Sequence, residues 1–386
     1  MIVETTAAIA SILFLFYSGY FLAMWQLSKR AKPALNFVGG DYRPLVSVVV
    51  PTYNEEDTIV RKLKNVAGQS YSNIEIIIVD SASQDRTIDL IEQWMATIRD
   101  TDFRVKLIRE SERKGKASAL NTAFKCCSGE IVVMTDADAI WRNDTLGTAI
   151  SNFADPNVGA VTGRQVLLNP NQSLATRVER TYRSIYEVLR IGESVADSTP
   201  IFHGEISCFR RSLLESVRED SMADDSELAV KVRKQGFKSI YDPNAIFYEH
   251  APPTFGSRLT QKLRRGQGLI QLFLRERKIL FNRKYQKYGV LVFPAEFFMH
   301  LISPLLVLTF LAFFFYTLFL IDSRLALALC VIFLALPAIS TLTKMSLVSL
   351  PLSFLNSQLI LLLSLVYQML GRSQHKWAKI TAVREL

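Results

Sequence analysis

The sequence predicts an α/β domain, a mainly parallel sheet with helices on both faces, joined through a basic interfacial helix to α-helical membrane segments. Between residues 46 and 136 an apolar run of strand length alternates four times with a helical pattern, which is the signature of parallel strands joined by crossover helices. Apolar stretches without charge, each about as long as a bilayer is thick, lie before and after this domain. Composition agrees, because 49% of the 386 residues are hydrophobic while 21% are charged, so the two kinds are segregated along the chain.

Residues 5–24, "TTAAIASILFLFYSGYFLAM", form the first apolar run. A cleaved signal peptide would carry its basic residues in front, whereas Lys29, Arg30 and Lys32 come after it and no small-residue cleavage site stands out. Residues 1–28 are therefore expected to be a retained anchor. The basic flank is expected to put the domain behind it in the cytoplasm.

Residues 46–255 contain no spanning segment and are expected to form one cytoplasmic domain. "VSVVVPTYNEE" opens it with a buried strand that ends at Pro51, and a helical pattern continues through Leu63. "IEIIIVDSASQD" repeats the scheme, with a strand to Val79, Asp80 at its end, and a helix at 87–98. A third unit runs from "VKLIRE" through "KGKASALNTAFKCC", and a fourth strand, "IVVM", leads to Asp136.

Beyond the domain, "SRLTQKLRRGQGLIQLFLRERKILFNRKYQKYG" interleaves Arg and Lys with apolar residues and offsets them only with Glu276. Nucleic acid could bind such a stretch, but beside membrane spans it reads as an amphipathic helix on anionic headgroups, an interfacial region at 256–288. The net charge of +9 then needs no nucleic-acid partner. Three further spans are expected at 301–321, 325–343 and 346–370, within a membrane region 289–370 that precedes a basic tail, 371–386. Pro351 and Asn356 make the last span the least ideal. With the amino terminus outside, four spans put the tail outside, although Arg372, Lys376, Lys379 and Arg384 favour the inside.

Cys126, Cys127, Cys208 and Cys330 have neither disulfide-framework nor metal-site spacing, and free thiols are expected. The sequons at Asn143 and Asn171 would face the cytoplasm and are read as chance matches.

"GEIVVMTDADAIW" sets two carboxylates one residue apart at the end of an apolar run. Alone, such a pair reads as a strand running into a turn. Here Pro51 to Glu55, Asp80, and Asp136 with Asp138 all fall at the carboxyl ends of strands, the rim where open α/β sheets bind ligands. Acidic residues gathered there repel one another unless a cation sits among them. A hard divalent ion with oxygen ligands fits, and would in turn hold a diphosphate.

"VVVPTYNEE", "IIIVDSASQD", "RKGKASALNTAF" and "MTDADA" together resemble the nucleotide-sugar half of family 2 glycosyltransferases, over most of residues 46–275. The resemblance implies the GT-A fold, which is Rossmann-like, and a divalent metal, Mn2+ or Mg2+. It implies that Thr52, Tyr53, Glu55 and Asp80 line the nucleoside pocket, that Lys116 approaches the donor, and that Asp136 and Asp138 carry the metal, with Asp138 as chief ligand. "FHGEISCFRRSLLES" looks like the family's glycine-containing segment. "MADDSELAVKVRKQG" resembles its T-E-D-x-D-L pattern, which makes Asp225 the base beside Asp224.

"QKLRRGQG" matches the family's Q-x-x-R-W motif at Gln261 and Arg264, but Arg265 stands at the Trp position. That Trp supports the acceptor sugar in polymer-making relatives, so its loss argues against processive synthesis. Arg264 and Arg265 are expected to be diphosphate partners. Ser81 replaces an Asp that reads the base in many relatives, which leans the donor towards GDP-mannose rather than a UDP-hexose. His250 is open between a metal or acceptor contact and a structural role.

Three functions stand as expectations. One is inverting, metal-dependent transfer of one hexose to a lipid-linked glycan at the cytoplasmic leaflet, with a polyprenyl phosphate as the alternative acceptor. The second is processive polysaccharide synthesis. The third, a non-catalytic scaffold or transporter, is disfavoured by spans without ionisable pairs and by intact base and metal candidates.

Overall fold

The structure is a computed structural model that describes residues 2–31, 42–98, 104–251, 255–343 and 349–371. Helix α1 (Ile2–Ser28) leads into the α/β domain. Strands β1 (Val46–Thr52), β2 (Ile74–Asp80), β3 (Arg104–Arg109) and β4 (Ile131–Met134) alternate with helices α2 (Ile59–Ala67), α3 (Thr87–Thr97) and α4 (Lys116–Phe124), as the apolar runs predict. β1 is buried on both faces along nearly its whole length, which is why it reads as continuous Val rather than as an alternation.

The second half was not legible as strands. It supplies β5 (Ile140–Trp141), α5 (Thr145–Ser151), β6 (Val158–Leu167), α6 (Leu174–Ala196), β7 (Ser207–Arg210), α7 (Asp224–Lys234) and β8 (Lys238–Glu249). These complete one eight-stranded sheet in the order β3-β2-β1-β4-β7-β6-β8-β5. The β1–β2, β2–β3, β1–β4 and β6–β8 pairings are parallel, whereas β4–β7, β6–β7 and β5–β8 are antiparallel, so the sheet is mixed. β8 is hard to read because Pro243 interrupts it. The register jumps from Gly163 opposite Asp242 to Arg164 opposite Ile246, so Pro243 sits in a bulge where no ladder hydrogen bond is asked of it.

The alternation of side chains along β1 divides the core. Val46, Val48 and Val50 pack with α2, α3 and α5 on one face, while Val49 packs with Ala117 and Leu120 of α4 and with Leu228 and Val232 of α7 on the other.

Helix α8 (Phe255–Arg275) occupies the first part of the region expected to lie on headgroups. Its cations turn inward instead. Arg258 and Lys262 both reach Glu179 of α6, at 2.8 and 2.7 Å, and Arg265 reaches Glu205 at 2.7 Å. A Cβ on Gly266 would stand 2.5 Å from Ser364 Oγ and one on Gly268 2.7 Å from the Met222 carbonyl, so two glycines let α8 wedge between a membrane helix and the domain.

The membrane-side helices are α9 (Phe293–Phe297), α10 (Ser303–Ile321), α11 (Ser323–Thr343) and α12 (Ser349–Met369). Among the described residues three helices are long and apolar enough to cross a membrane: Ile2–Ser28, Tyr288–Ile321 and Leu350–Met369. The expected span at 325–343 is helical within α11, whose described apolar portion, Ser323–Ile332, is shorter. The expected basic tail beyond Gly371 lies outside the described residues. These helices are tied to the domain by a buried ionic cluster in which Arg190 Nη1 of α6 meets Glu193 at 2.9 Å and Glu296 of α9 at 2.6 Å, while Tyr20 of α1 donates to Glu193 at 3.0 Å.

Candidate active site

Parallel registers gather the predicted residues. Thr52 pairs with Asp80 at the ends of β1 and β2, and Val49 pairs with Met134, so the D-A-D turn starts two residues past the end of β4 on the same rim. Asp80 is fully buried and accepts from the Ser83 N–H at 2.9 Å and from Thr52 Oγ1 at 3.3 Å. Glu55 is turned into its own loop, where its carboxylate accepts from Thr58 Oγ1 at 2.8 Å and its N–H donates to Thr87 Oγ1 at 2.7 Å. The Arg113 guanidinium lies 3.9 Å from the centre of the Tyr53 ring. Ser81 donates to Glu110 at 2.7 Å, so an acidic group does stand beside this position, contributed by the end of the neighbouring strand.

Lys116, the first residue of α4, bridges Asp136 Oδ1 at 2.8 Å and Asp224 Oδ2 at 3.3 Å. Burial would lower its ammonium, but Asp136, Asp224 and Asp225 outweigh burial and raise it. Asp225 sits in the first turn of α7, with the Ser226 N–H donating to its Oδ1 at 2.6 Å. Withdrawal from water and the adjacent Asp224 push its carboxyl up to about 7 against the pull of Lys116.

Gly204, in the turn before β7, faces the point where the two halves of the site approach each other. A Cβ there would stand 3.2 Å from Lys116 Nζ, 3.3 Å from Asp136 Oδ2 and 3.6 Å from Asp225 Oδ2. Lys116, Asp136 and Arg264 on the predicted donor side and Asp224 and Asp225 on the base side border one cleft of about 190 Å³, which continues past Tyr182 and Tyr186 of α6 to His300 and to Ile360 of α12.

From α8, Arg264 lines the same cleft and lies in the field of these carboxylates. Burial and Arg265 lower its pKa, whereas Asp136, Asp224 and Asp138 raise it. Arg265 lines the same cleft with its guanidinium bound to Glu205 at 2.7 Å, a pairing that the expectation of a diphosphate partner did not contain. Gln261 lies apart, with Nε2 3.5 Å from Glu249 Oε1. Residues that sequence reasoning missed include Glu205, within "FHGEIS", and Lys62 of α2. Lys62 is fully buried, donates to the Ala139 carbonyl at 2.9 Å and lies 4.3 Å from the centre of the Trp141 ring.

Among the described residues no three His, Cys, Asp or Glu side chains form a ready metal cage. Asp136 and Asp138 still fit a hard divalent ion as two carboxylate ligands in a polar turn, with the remaining positions left to ligand oxygens or water. His250 ends up nearby: two residues beyond the Ile140–Tyr248 pairing, each strand reaches Asp138 and His250 respectively, and His250 Nδ1 is buried without a partner.

A sheet whose parallel strands end in a carboxylate turn, facing a second acidic pair across a cleft that opens on membrane helices, defines a GT-A fold of the membrane-attached kind. Residues 47–218 match the model of glycosyl transferase family 2. The structure of the mannosyltransferase PcManGT from Pyrobaculum calidifontis, solved in complex with GDP-Man and Mn2+, superposes with a TM-score of 0.77 at 33% identity, covering 97% of this chain and 100% of that one. The poly-beta-1,6-N-acetyl-D-glucosamine synthase of Staphylococcus aureus is 30% identical over 261 residues, 67% of this chain and 61% of the relative. Its counterpart in Staphylococcus epidermidis is 29% identical over 235 residues, 60% and 56% respectively. The matched region thus spans about three fifths of the length of these curated relatives. The chain belongs to glycosyltransferase family 2.

Proposed function

We propose that the chain is an inverting, metal-dependent membrane glycosyltransferase that moves one hexose from a nucleotide sugar, GDP-mannose or a UDP-hexose, to a hydroxyl of a lipid-linked glycan at the cytoplasmic leaflet. The observation that carries this reading is the space around Gly204, where Lys116, Asp136 and Asp225 come within 3.6 Å of one point. A donor held by the first two and an acceptor hydroxyl held by the third would meet in the cleft in front of this glycine.

Thr52, Tyr53 and Asp80 would hold the nucleoside, and Lys116 and Arg264 the diphosphate. Asp136 and Asp138 would hold a divalent metal, with His250 at the same end of the β5–β8 pair. When bound, the ion supplies Lewis-acid neutralisation of the diphosphate leaving group. Asp225 would accept the proton of the attacking hydroxyl on the opposite side, so that one displacement inverts the anomeric carbon. Its carboxyl, raised to about 7, suits a base working near neutral pH. GDP-Man and Mn2+ in the mannosyltransferase that is similar over the whole chain support this donor and this ion. The flank Lys29–Arg30 after α1 supports a cytoplasmic domain.

Similarity to a poly-beta-1,6-N-acetyl-D-glucosamine synthase favours a second reading, processive synthesis. Arg265, bound to Glu205 in place of an aromatic support for a growing chain, weighs against it. Radiolabelled transfer from a panel of nucleotide sugars into membrane lipids, with product size measured, tests both readings. Addition of a single hexose supports the first, a polymer the second, and no incorporation from any donor overturns both.

A further inference from the structure

Three buried side chains to which the proposed transfer gives no role carry polar atoms with no hydrogen-bond partner: both amide atoms of Gln165, Glu205 Oε2 and Glu249 Oε2. They are 8%, 2% and 7% exposed. A buried polar atom left unpaired costs free energy comparable to a lost hydrogen bond, so four such atoms in one region ask for a ligand.

The three side chains converge. Gln165 of β6 pairs with Phe247, and Leu167 with Glu249 of β8, so Gln165 and Glu249 share a face of the parallel pair. Glu205 comes directly after Gly204 at the cleft. Its carboxylate acts on Glu249 strongly enough that burial first and Glu205 second push the Glu249 carboxyl up to about 8, against Arg265 and Arg183. Gln165 and Glu205 line the same cleft as Asp225. The neighbours leave the open atoms unfilled. Arg265 takes Glu205 Oε1 at 2.7 Å, Gln261 approaches only Glu249 Oε1 at 3.5 Å, and Arg183 stops 3.9 Å from Glu249 Oε2.

The chemistry of the open atoms selects the ligand. The ionised Glu205 accepts, whereas the Gln165 amide and the neutral Glu249 carboxyl each both donate and accept. Together they fit a neutral molecule that presents several O–H donors and at least one oxygen acceptor. A phosphate offers acceptors and negative charge to the ionised Glu205, and fits poorly. We infer that Gln165, Glu205 and Glu249 form a hydroxyl-reading subsite for a neutral sugar ring of the acceptor, which makes the acceptor a glycan and not a bare polyprenyl phosphate. The inference rests on the glycosyl-transfer reading and deepens it. Arg265 serves the subsite by orienting Glu205, so the residue at the Trp position acts through hydrogen bonding where an aromatic ring would act by stacking.

The test uses the full chain in a sugar-free zwitterionic detergent without nucleotide. Octyl α-mannoside, octyl β-glucoside and octyl phosphate, which share one alkyl chain, are titrated by calorimetry. At least one glycoside is expected to bind saturably and more tightly than octyl phosphate. Gln165→Leu is expected to weaken glycoside binding by about five- to tenfold, the loss of a hydrogen bond or so. Because Gln165 has no partner to lose, the same variant is expected to keep or raise Tm, which a merely structural glutamine would not do. Tighter binding of octyl phosphate, no binding of either glycoside, or unchanged glycoside affinity in both Gln165→Leu and Glu249→Gln overturns the inference. A parallel titration with GDP-mannose and UDP-glucose in Mn2+ separates the two claims. Nucleotide binding without glycoside binding strikes this subsite alone, and glycoside binding without nucleotide binding strikes the transfer reading alone.

Discussion

Lys116 and Asp136 form an ion pair 2.8 Å long between the start of α4 and the turn after β4. One oxygen of Asp136 is thereby engaged by an ammonium, which shifts the larger share of metal binding to Asp138, its partner in the turn. Asp138→Ala is expected to abolish transfer and excess chelator to mimic it, while Asp136→Asn leaves measurable activity at raised Mn2+. Titration of the initial rate with Mn2+ in each variant checks this. Full activity of the wild type in excess chelator would remove the metal from the mechanism.

Asp225→Asn is expected to bind donor nearly as wild type and to lose roughly 100-fold or more in rate, the usual scale for a missing general base. The wild-type rate should fall as pH drops through about 7, because a carboxyl raised to that value is protonated below it and cannot accept the hydroxyl proton. Stability runs the other way. A carboxyl whose folded pKa exceeds its unfolded value favours the folded state at low pH, and that contribution is lost as pH rises through about 7. Asp225→Asn should therefore raise Tm more at pH 8 than at pH 5. Collapse of donor affinity in this variant would move Asp225 to the donor side.

The sequence disclosed the rim because each rim residue ends an apolar run, and where a run ends is a local property. Thr52, Asp80 and Asp136 stand at the carboxyl side of β1, β2 and β4, as the apolar runs predict. Lys116, Asp136, Asp224, Asp225, Arg264 and Arg265 are brought to one cleft, where Glu205 engages Arg265, whereas Gln261 is drawn aside towards Glu249. Those partners were hidden for a physical reason. Arg258 finds Glu179 across 79 residues and Arg265 finds Glu205 across 60, and no periodicity within α8 reveals that its cations meet buried carboxylates before they meet a membrane. The strands that carry Gln165 and Glu249 were likewise hidden, because their pairing is non-local and β8 is broken at Pro243.

Lys62 supports the D-A-D turn from below, through the 2.9 Å bond to the Ala139 carbonyl. Burial pulls its ammonium down to about 7 despite Asp136, Asp138 and Glu205. A lysine with a lowered folded pKa burdens the fold while it is charged, and the burden lifts as pH rises from about 7 towards the ordinary lysine range. The Tm of the wild type relative to Lys62→Met is therefore expected to rise between pH 7 and pH 9. Thermal melts of the two proteins side by side measure it. A constant difference would mean that Lys62 stays charged throughout this window.

Arg265→Trp restores the residue that polymer-making relatives carry, and is expected to lose activity instead of gaining processivity. The change removes the 2.7 Å partner of Glu205, a carboxylate only 2% exposed, and leaves it facing Glu249 with only the more distant Arg183 as counter-charge. A fall of about tenfold or more in kcat/KM for acceptor is the expected scale for a disrupted charge-assisted hydrogen bond. Pairing the change with Glu205→Gln removes the stranded charge and should recover part of the loss, which a purely steric effect of Trp would not allow. Products from all three proteins should carry one added hexose, because Glu205 and Gln165 in the cleft wall would hold one acceptor ring by hydrogen bonds that a sliding polymer would have to break at every step. Product mass distinguishes the outcomes directly: a ladder of long products from the wild type would refute single addition, and a ladder only from Arg265→Trp would show that this one position sets processivity.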